Sequence, residues 1–284
     1  MFEMEWDKVI NGNDGIYGFI QDFMQKAGKE KLIVGVSGGI DSALVLELAV
    51  GAIGRENVYA LTMPHEHSDT RQADIIIYGL LHADNVLTQS QELVHISVTN
   101  QVNTYFEQIL GVDWKKEELS KEMRLRVGNK CARERMSILY DLSAEYDALV
   151  LATGNKTESL LGYTTLWGDM LGALAPIADL YKTQVRGLSR YLNGVSKLVV
   201  DIAPSADLWV GQTDEGEIGA TYEEIDLILY LTLEKDKTRY ELVSEFGLNE
   251  EKIDRVMNLY EKNSFKREAA NIDYPILRKY RVRK

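Results

Sequence analysis

The sequence predicts an α/β fold, a doubly wound parallel sheet followed by a C-terminal helical extension. Three observations carry that expectation. Short β-branched runs alternate with longer amphipathic segments over the first two thirds of the chain. The runs are apolar throughout, as strands covered on both faces must be. From Thr221 onward the chain turns charged and helical. The pattern predicts a single domain over residues 1–284, its helical part at about 221–284.

Leu32-Ile33-Val34-Gly35-Val36 reads as a buried strand, and the glycine turn behind it opens a helix from about Ser42 to Val50. Val58 to Met63 is a second strand, stopped by Pro64, and a helix from about Ser68 to Leu81 follows. Weaker strands stand near Val86-Leu87 and from His95 to Val98. A long helical stretch from about Leu119 to Glu145 leads into Ala148 to Ala152, another buried strand. Beyond Thr153 the texture changes: Gly154, Gly162, Gly168 and Gly172 fall among polar residues. Loops of this kind behind a core strand more often carry function than structure. Helices near 222–234, 238–246 and 250–260 complete the chain, and its tail, Lys279 to Lys284, is basic. Ligands of such sheets sit at the carboxyl ends of the strands.

Composition narrows the function. Lys plus Arg is 32 and Asp plus Glu is 44, so the net charge is 32 − 44 = −12. Such a surface repels backbone phosphates and argues against nucleic acid as a partner. Cys131 is the only cysteine, which excludes an internal disulfide, a zinc knuckle and a Cys-x-x-Cys redox pair. The longest apolar stretch, Leu44 to Ile53, is interrupted by Glu47 and is too short to span a bilayer, so no membrane partner is expected. The four histidines lack metal-ligand spacing. Without a signal-peptide pattern, a reducing cytoplasm is the simplest compartment.

The chemistry concentrates in Ser37-Gly38-Gly39-Ile40-Asp41-Ser42, between the first strand and the first helix of the sheet. Gly38 and Gly39 permit backbone angles and close approach that a Cβ would block. Backbone N–H groups and a helix N-terminus then face an anion, with the Ser37 and Ser42 hydroxyls as further donors. Asp41 would be repelled by phosphate unless a divalent cation lay between them, so it implies Mg²⁺. The Lys of the Gly-x-x-x-x-Gly-Lys-Ser/Thr loop that moves a γ-phosphate is missing, and the loop is not a Gly-x-Gly-x-x-Gly turn. It resembles the loop of the ATP pyrophosphatase group, whose Rossmann-like members split ATP between its α and β phosphates to adenylate a carboxylate or carbonyl oxygen.

Further segments narrow the group. They are Asn129-Lys130-Cys131-Ala132-Arg133-Glu134-Arg135-Met136, Thr153-Gly154-Asn155-Lys156-Thr157-Glu158, Gly162 to Asp169, and Lys182-Thr183-Gln184-Val185-Arg186. Pro204-Ser205-Ala206-Asp207-Leu208 and Gly211 to Gly219 follow. In order and spacing the set resembles NAD synthetase, in its short ammonia-using form, along nearly the whole chain. The resemblance implies that deamido-NAD is adenylated on its pyridine carboxylate by Mg·ATP, and that ammonia then displaces AMP. It implies that Ser37, Gly38, Gly39, Ile40, Asp41, Ser42, Thr153, Lys182 and Ser205 hold ATP, with Asp41 and Glu158 as Mg²⁺ ligands. Asn129, Arg133, Asp214, Glu217, Lys266 and Arg267 would bind deamido-NAD, Asp214 and Glu217 at its far end. Asp41, Lys182 and Asp169 would be catalytic, Asp169 beside the incoming ammonia. A homodimer with deamido-NAD at its interface is a further implication. Mapped motifs run from Ser37 to Arg267, leaving little room for a glutamine-hydrolysing domain, so free ammonia without a glutaminase partner is expected.

Other readings of these residues stand beside this one. Glu158 also suits a helix N-terminus, Lys182 a solvated loop, Arg133 and Arg135 exposed helix charges, and Gly168-Asp169 a local turn. Two positions depart from the family pattern. Phe265 stands where the family often has His or Tyr, and Leu125 where an aromatic often precedes the Asn-x-x-Ala-Arg helix. Tyr163 or Trp167 would then stack on the pyridine. Rival functions are another amidating ligase of the group, a tRNA-thiolating enzyme, and a non-catalytic nucleotide-binding module. The first has no need of Asn129 and Arg133, the second wants paired cysteines and a basic surface, and the third leaves Asp41, Glu158 and Lys182 without a purpose.

Overall fold

The strands β1 (Lys31–Gly35), β2 (Val58–Thr62), β3 (Val94–His95) and β4 (Ala148–Val150) form one parallel sheet in the order β3-β2-β1-β4. They belong to a computed structural model that describes residues 3–12, 14–66, 68–81, 94–110, 119–203, 213–269 and 274–280. The expected strand at Val86-Leu87, the candidate Ser205 and the end of the basic tail lie outside those residues. In the register, Ile33 of β1 stands between Tyr59 of β2 and Val150 of β4. A segment around Leu174 runs parallel beyond β4, where Ala152 donates to the Leu174 carbonyl at 2.9 Å. Gly172 allows this approach, since a Cβ there would meet the Ala152 nitrogen at 2.5 Å.

Successive β1 residues face opposite layers, as the period of two requires. Leu32 and Val34 pack with helices α2 (Ile16–Ala27), α3 (Ile40–Ile53), α4 (Arg71–Leu81) and α8 (Lys182–Leu192). Ile33 packs with α5 (Thr99–Leu110) and α6 (Lys121–Glu145). The sheet is therefore covered on both faces, which is why its strands read as continuous apolar runs. Helix α3 buries residues all round, from Ile40 to Ala52, and is the central helix of its layer. A separate apolar cluster joins Leu161 and Tyr181 to α10 (Tyr222–Glu234), α11 (Arg239–Ser244) and α12 (Glu250–Lys262). No helix of the described residues is long and apolar enough to cross a membrane.

Two departures from the expected elements matter for the site. Helix α3 begins at Ile40 rather than Ser42, so Asp41 stands in its first turn. The glycine-rich stretch expected as loops contains the short helix α7 (Lys156–Leu161) and α8, so Glu158 and Lys182 also stand in first helical turns. Helices α1 (Trp6–Asn11), α2 and α5 were not anticipated, although Ile16, Ile20 and Met24 of α2 stand at helical spacing. The chain leaves β1 toward β2 on one side and places β4 on the other. The loops behind β1 and β4 thus flank the switch point, where such sheets bind ligands.

Candidate active site

The loop behind β1 is held by its own serines. The Ser42 hydroxyl accepts from the Ser37 N–H at 3.2 Å and donates to the Gly39 carbonyl at 3.0 Å. The Gly39 N–H donates to the Ser37 hydroxyl at 3.2 Å, and the two hydroxyl oxygens lie 3.2 Å apart. Gly38 has φ +93°, and a Cβ there would press on Ala73 and Gln72 of α4 at 3.2 Å, so glycine is required. Gly39 differs from expectation. Its φ of −79° suits any residue, and a Cβ would meet only the Ser37 hydroxyl at 3.4 Å. Its small size leaves space beside a helix N-terminus that no side chain caps. Ile40 is buried in the core and fixes the first turn of α3.

Across the switch point, three elements converge on Asp41. Asn155, fully buried behind β4, donates its side-chain amide to Asp41 Oδ1 at 2.8 Å. The Lys182 ammonium bonds Asp41 Oδ2 and lies 3.3 Å from Glu158 Oε1. Glu158 serves two purposes with its two oxygens. Oε2 accepts from the Asn155 N–H at 3.3 Å in a capping box, which explains the Asn-x-x-Glu spacing, while Oε1 faces the lysine. Lys182 is no solvated lysine, being only 3% exposed. Thr153 lies in the connection between β4 and α7.

Burial and the Asp41 carboxylate push the Glu158 carboxyl upward, against the pull of Lys182 and the Asn155 N–H. For Lys182, burial disfavours the charge, but Asp41 and Glu158 outweigh it and hold the ammonium protonated. Asp214, at the start of α9 (Asp214–Ile218), lies within electrostatic reach of Lys182 and Asp41. Burial raises its carboxyl, opposed by the Tyr222 hydroxyl, which donates to Oδ2 at 2.9 Å. Three carboxylates thus surround one buried ammonium. Among the described residues no three His, Cys, Asp or Glu are grouped to hold a metal by themselves. Two hard carboxylates converging on one cationic position, with phosphate and water to complete the shell, fit the donor set of Mg²⁺.

The other candidates divide. Asn129 and Arg133 share a face of α6 as expected, and that face meets the 162–169 loop: Thr165 donates its hydroxyl to Asn129 Oδ1 at 2.7 Å, and Arg133 Nε donates to the Leu166 carbonyl at 3.1 Å. Asp169 ends the same loop, is exposed on its outer side, and accepts the Thr165 N–H at 2.6 Å. Crowding by the surrounding protein raises its carboxyl, opposed by that N–H and by Lys266. Glu217 accepts from the Tyr163 hydroxyl at 2.9 Å, and the same hydroxyl also reaches Asp214, so one tyrosine links the two carboxylates. Lys266 donates to the Gly162 and Thr164 carbonyls at 2.7 and 2.6 Å. Arg267 donates to the Leu160 and Tyr260 carbonyls at 2.8 and 2.7 Å and stacks on the Tyr260 ring. In this structure the two cations hold backbone. Trp167, at φ +61°, is exposed, as are Phe265 and Leu125. Burial raises the Cys131 thiol, which suits a packed residue and not a nucleophile.

Sequence reasoning missed Asn155, Tyr222 and Arg135. Asn155 stood inside a quoted motif, and its capping-box spacing was the available signal. Arg135 is not a free helix charge, since its Nε donates to the Met63 carbonyl at 2.8 Å, at the carboxyl end of β2. Nothing local marked Tyr222 or Arg135.

The chain is similar to one family of known proteins along most of its length. The family model described as NAD synthase matches residues 14–270. The NH(3)-dependent NAD(+) synthetase of Trichlorobacter lovleyi is 44% identical over 253 residues, covering 89% of this chain and 86% of that protein. A solved NH3-dependent NAD synthetase from Campylobacter jejuni superposes with a TM-score of 0.70 at 31% identity, covering 95% of this chain and 100% of the other. The NMN synthetase of Francisella tularensis superposes with a TM-score of 0.71 at 28% identity, over 91% and 95% of the two chains.

Proposed function

Because the chain belongs to the NAD synthase family, we infer that it is the ligase that converts deamido-NAD to NAD with ATP and ammonia, releasing AMP and pyrophosphate. The observation that carries this reading is the Lys182 ammonium between Asp41 and Glu158, beside a serine-held glycine loop at the switch point of the sheet.

The pyridine carboxylate attacks the α-phosphorus of ATP and the bond to the β-phosphate oxygen breaks, giving an acyl adenylate and pyrophosphate. Two anions must be brought together for this step. Lys182 offsets the charge growing on the leaving pyrophosphate, and the uncapped N–H groups at the start of α3 hold it. Asp41 and Glu158 would hold Mg²⁺, which when bound shields the phosphate charge. Ammonia then attacks the acyl carbon, AMP leaves, and a proton must be removed from nitrogen. Asp169, fixed by the Thr165 N–H and with its carboxyl raised by its crowded surroundings, is the base we assign to that proton. Asn129 and Arg133 orient deamido-NAD through the 162–169 loop. Exposed Tyr105, Ile109, Leu125 and Tyr140 on α5 and α6 support a homodimer that covers this face. A cytoplasmic location and one domain with a helical C-terminal part complete the proposal.

Incubation with Mg·ATP, ammonium and deamido-NAD is expected to give NAD, with one AMP and one pyrophosphate per amide. ADP and orthophosphate as products would refute the cleavage assigned to the lysine-free loop, and NMN made in preference to NAD would move the substrate to a mononucleotide. Glutamine freed of ammonia should not replace ammonium. A second expectation concerns Arg133. Arg133→Ala should raise KM for deamido-NAD by roughly tenfold or more, the weight of a hydrogen bond to a charged group. KM for ATP should hardly move, and equal shifts in both constants would exclude the assignment.

A further inference from the structure

Asp226 belongs to none of the motifs described above; it stands on the inner face of α10 and is fully buried. Its α10 neighbours Ile225, Ile228 and Leu229 are buried and apolar, so packing alone would be served by another apolar side chain. A carboxylate there carries a desolvation cost and needs partners. It has three donors and gives none in return. Oδ1 accepts the Thr157 hydroxyl at 2.5 Å, and Oδ2 accepts the Thr183 N–H at 2.8 Å and the Thr183 hydroxyl at 2.7 Å. The Thr157 oxygen in turn accepts the Lys182 N–H at 2.9 Å.

These contacts fall on the first turns of two helices that share no hydrogen-bond ladder. Thr157 precedes Glu158 in α7, and Thr183 follows Lys182 in α8. Both first turns have N–H groups that their own helices cannot satisfy. One carboxylate therefore ties together the backbone that carries Glu158 and the backbone that carries Lys182. The side chains of those two residues then meet 3.3 Å apart in front of Asp41.

We propose that Asp226 is a positioning residue for the ATP half of the reaction, setting the separation of Glu158 and Lys182 through Thr157 and Thr183. The proposal rests on the ATP site assigned above. Asn at this position keeps the size but turns a donor toward a group that already donates, so the two first turns lose their common acceptor. Misplacement by about 1 Å near reacting atoms costs on the order of a hundredfold in rate.

The test compares Asp226→Asn, Thr157→Val, Thr157→Ser and, as a reference, Lys182→Met in the full chain, each assayed well below its own melting temperature. Asp226→Asn is expected to lower kcat/KM for ATP by roughly a hundredfold and to leave KM for deamido-NAD close to wild type. Thr157→Val should move the same constant in the same direction, and Thr157→Ser, which keeps the hydroxyl, should restore it. Loss of activity that only tracks loss of folded protein, or equal effects on both substrates, would overturn the proposal. Where Asp226→Asn fails to fold, equal kinetics for Thr157→Val and Thr157→Ser would overturn it. Should Lys182→Met prove as active as wild type, the ATP-site reading itself fails. An inactive Lys182→Met beside fully active Asp226→Asn and Thr157→Val would refute the positioning role alone.

Discussion

Lys182→Met is expected to reduce kcat by roughly a thousandfold or more, the scale seen when a cation facing a transferring phosphoryl group is removed. The buried ammonium sits against Asp41 and Glu158 and lies over the Tyr222 ring at 5.3 Å. The side chain is almost wholly enclosed, so solvent screens its charge little. Lys182→Arg should not rescue it, since a planar guanidinium needs a wider site than a compact ammonium. The substitution also removes the only cation bonded to both carboxylates among the described residues. Breaking one side of a buried ion pair costs about 3–5 kcal/mol, so the melting temperature should fall as well. The two effects separate in a single-turnover assay on folded protein. Wild-type rates there would remove Lys182 from the reaction and leave it a structural ion pair.

Glu158→Gln and Asp41→Asn should each lower turnover by roughly 10²–10³-fold, comparable to the loss of one electrostatic contact to developing charge. A neutral amide oxygen is a weaker partner for a hard cation than a carboxylate. The substitutions are conservative for the fold, though not because the residues lie in loops. Gln at position 158 can still accept the Asn155 N–H, as capping boxes use Glu or Gln alike. Asn at position 41 can still accept from the Asn155 amide. Each variant removes one of the two carboxylates paired with the buried Lys182, so its melting temperature should fall, though less than that of Lys182→Met because the other carboxylate remains. Raising Mg²⁺ should recover part of the activity of each variant. A near-normal kcat in either purified variant would exclude that residue from the metal site.

Much of this site was legible in the sequence because its parts are local. Continuous apolar runs at strand length gave the parallel sheet, and the serine-glycine loop between strand and helix gave a phosphate site at its carboxyl edge. Asn155 and Glu158 are three residues apart, a spacing that a helix start turns into a hydrogen-bond pair. The two cations near the C-terminus show the limit of such reading. Lys266 and Arg267 read in sequence as a ligand pair, and only the fold shows that both also reach backbone carbonyls around residues 160–164 and 260.

The sequence by itself determined the main strands, the helices α3, α4, α6 and those of the C-terminal part, the place of the serine-glycine loop and the residue types available for chemistry. Only the tertiary structure determined which of them meet. Asp41 and Lys182 are 141 residues apart, Asp41 and Asn155 are 114 apart, and Thr157 and Asp226 are 69 apart. Periodicity along a chain records how each segment faces its own core, with a memory of a few residues. It carries no record of which helix starts are brought to one point. That convergence follows from strand order, which sets β1 beside β4, and from the packing of α10 against α7 and α8. Lys182 is a buried cation between two carboxylates rather than a surface lysine for that reason.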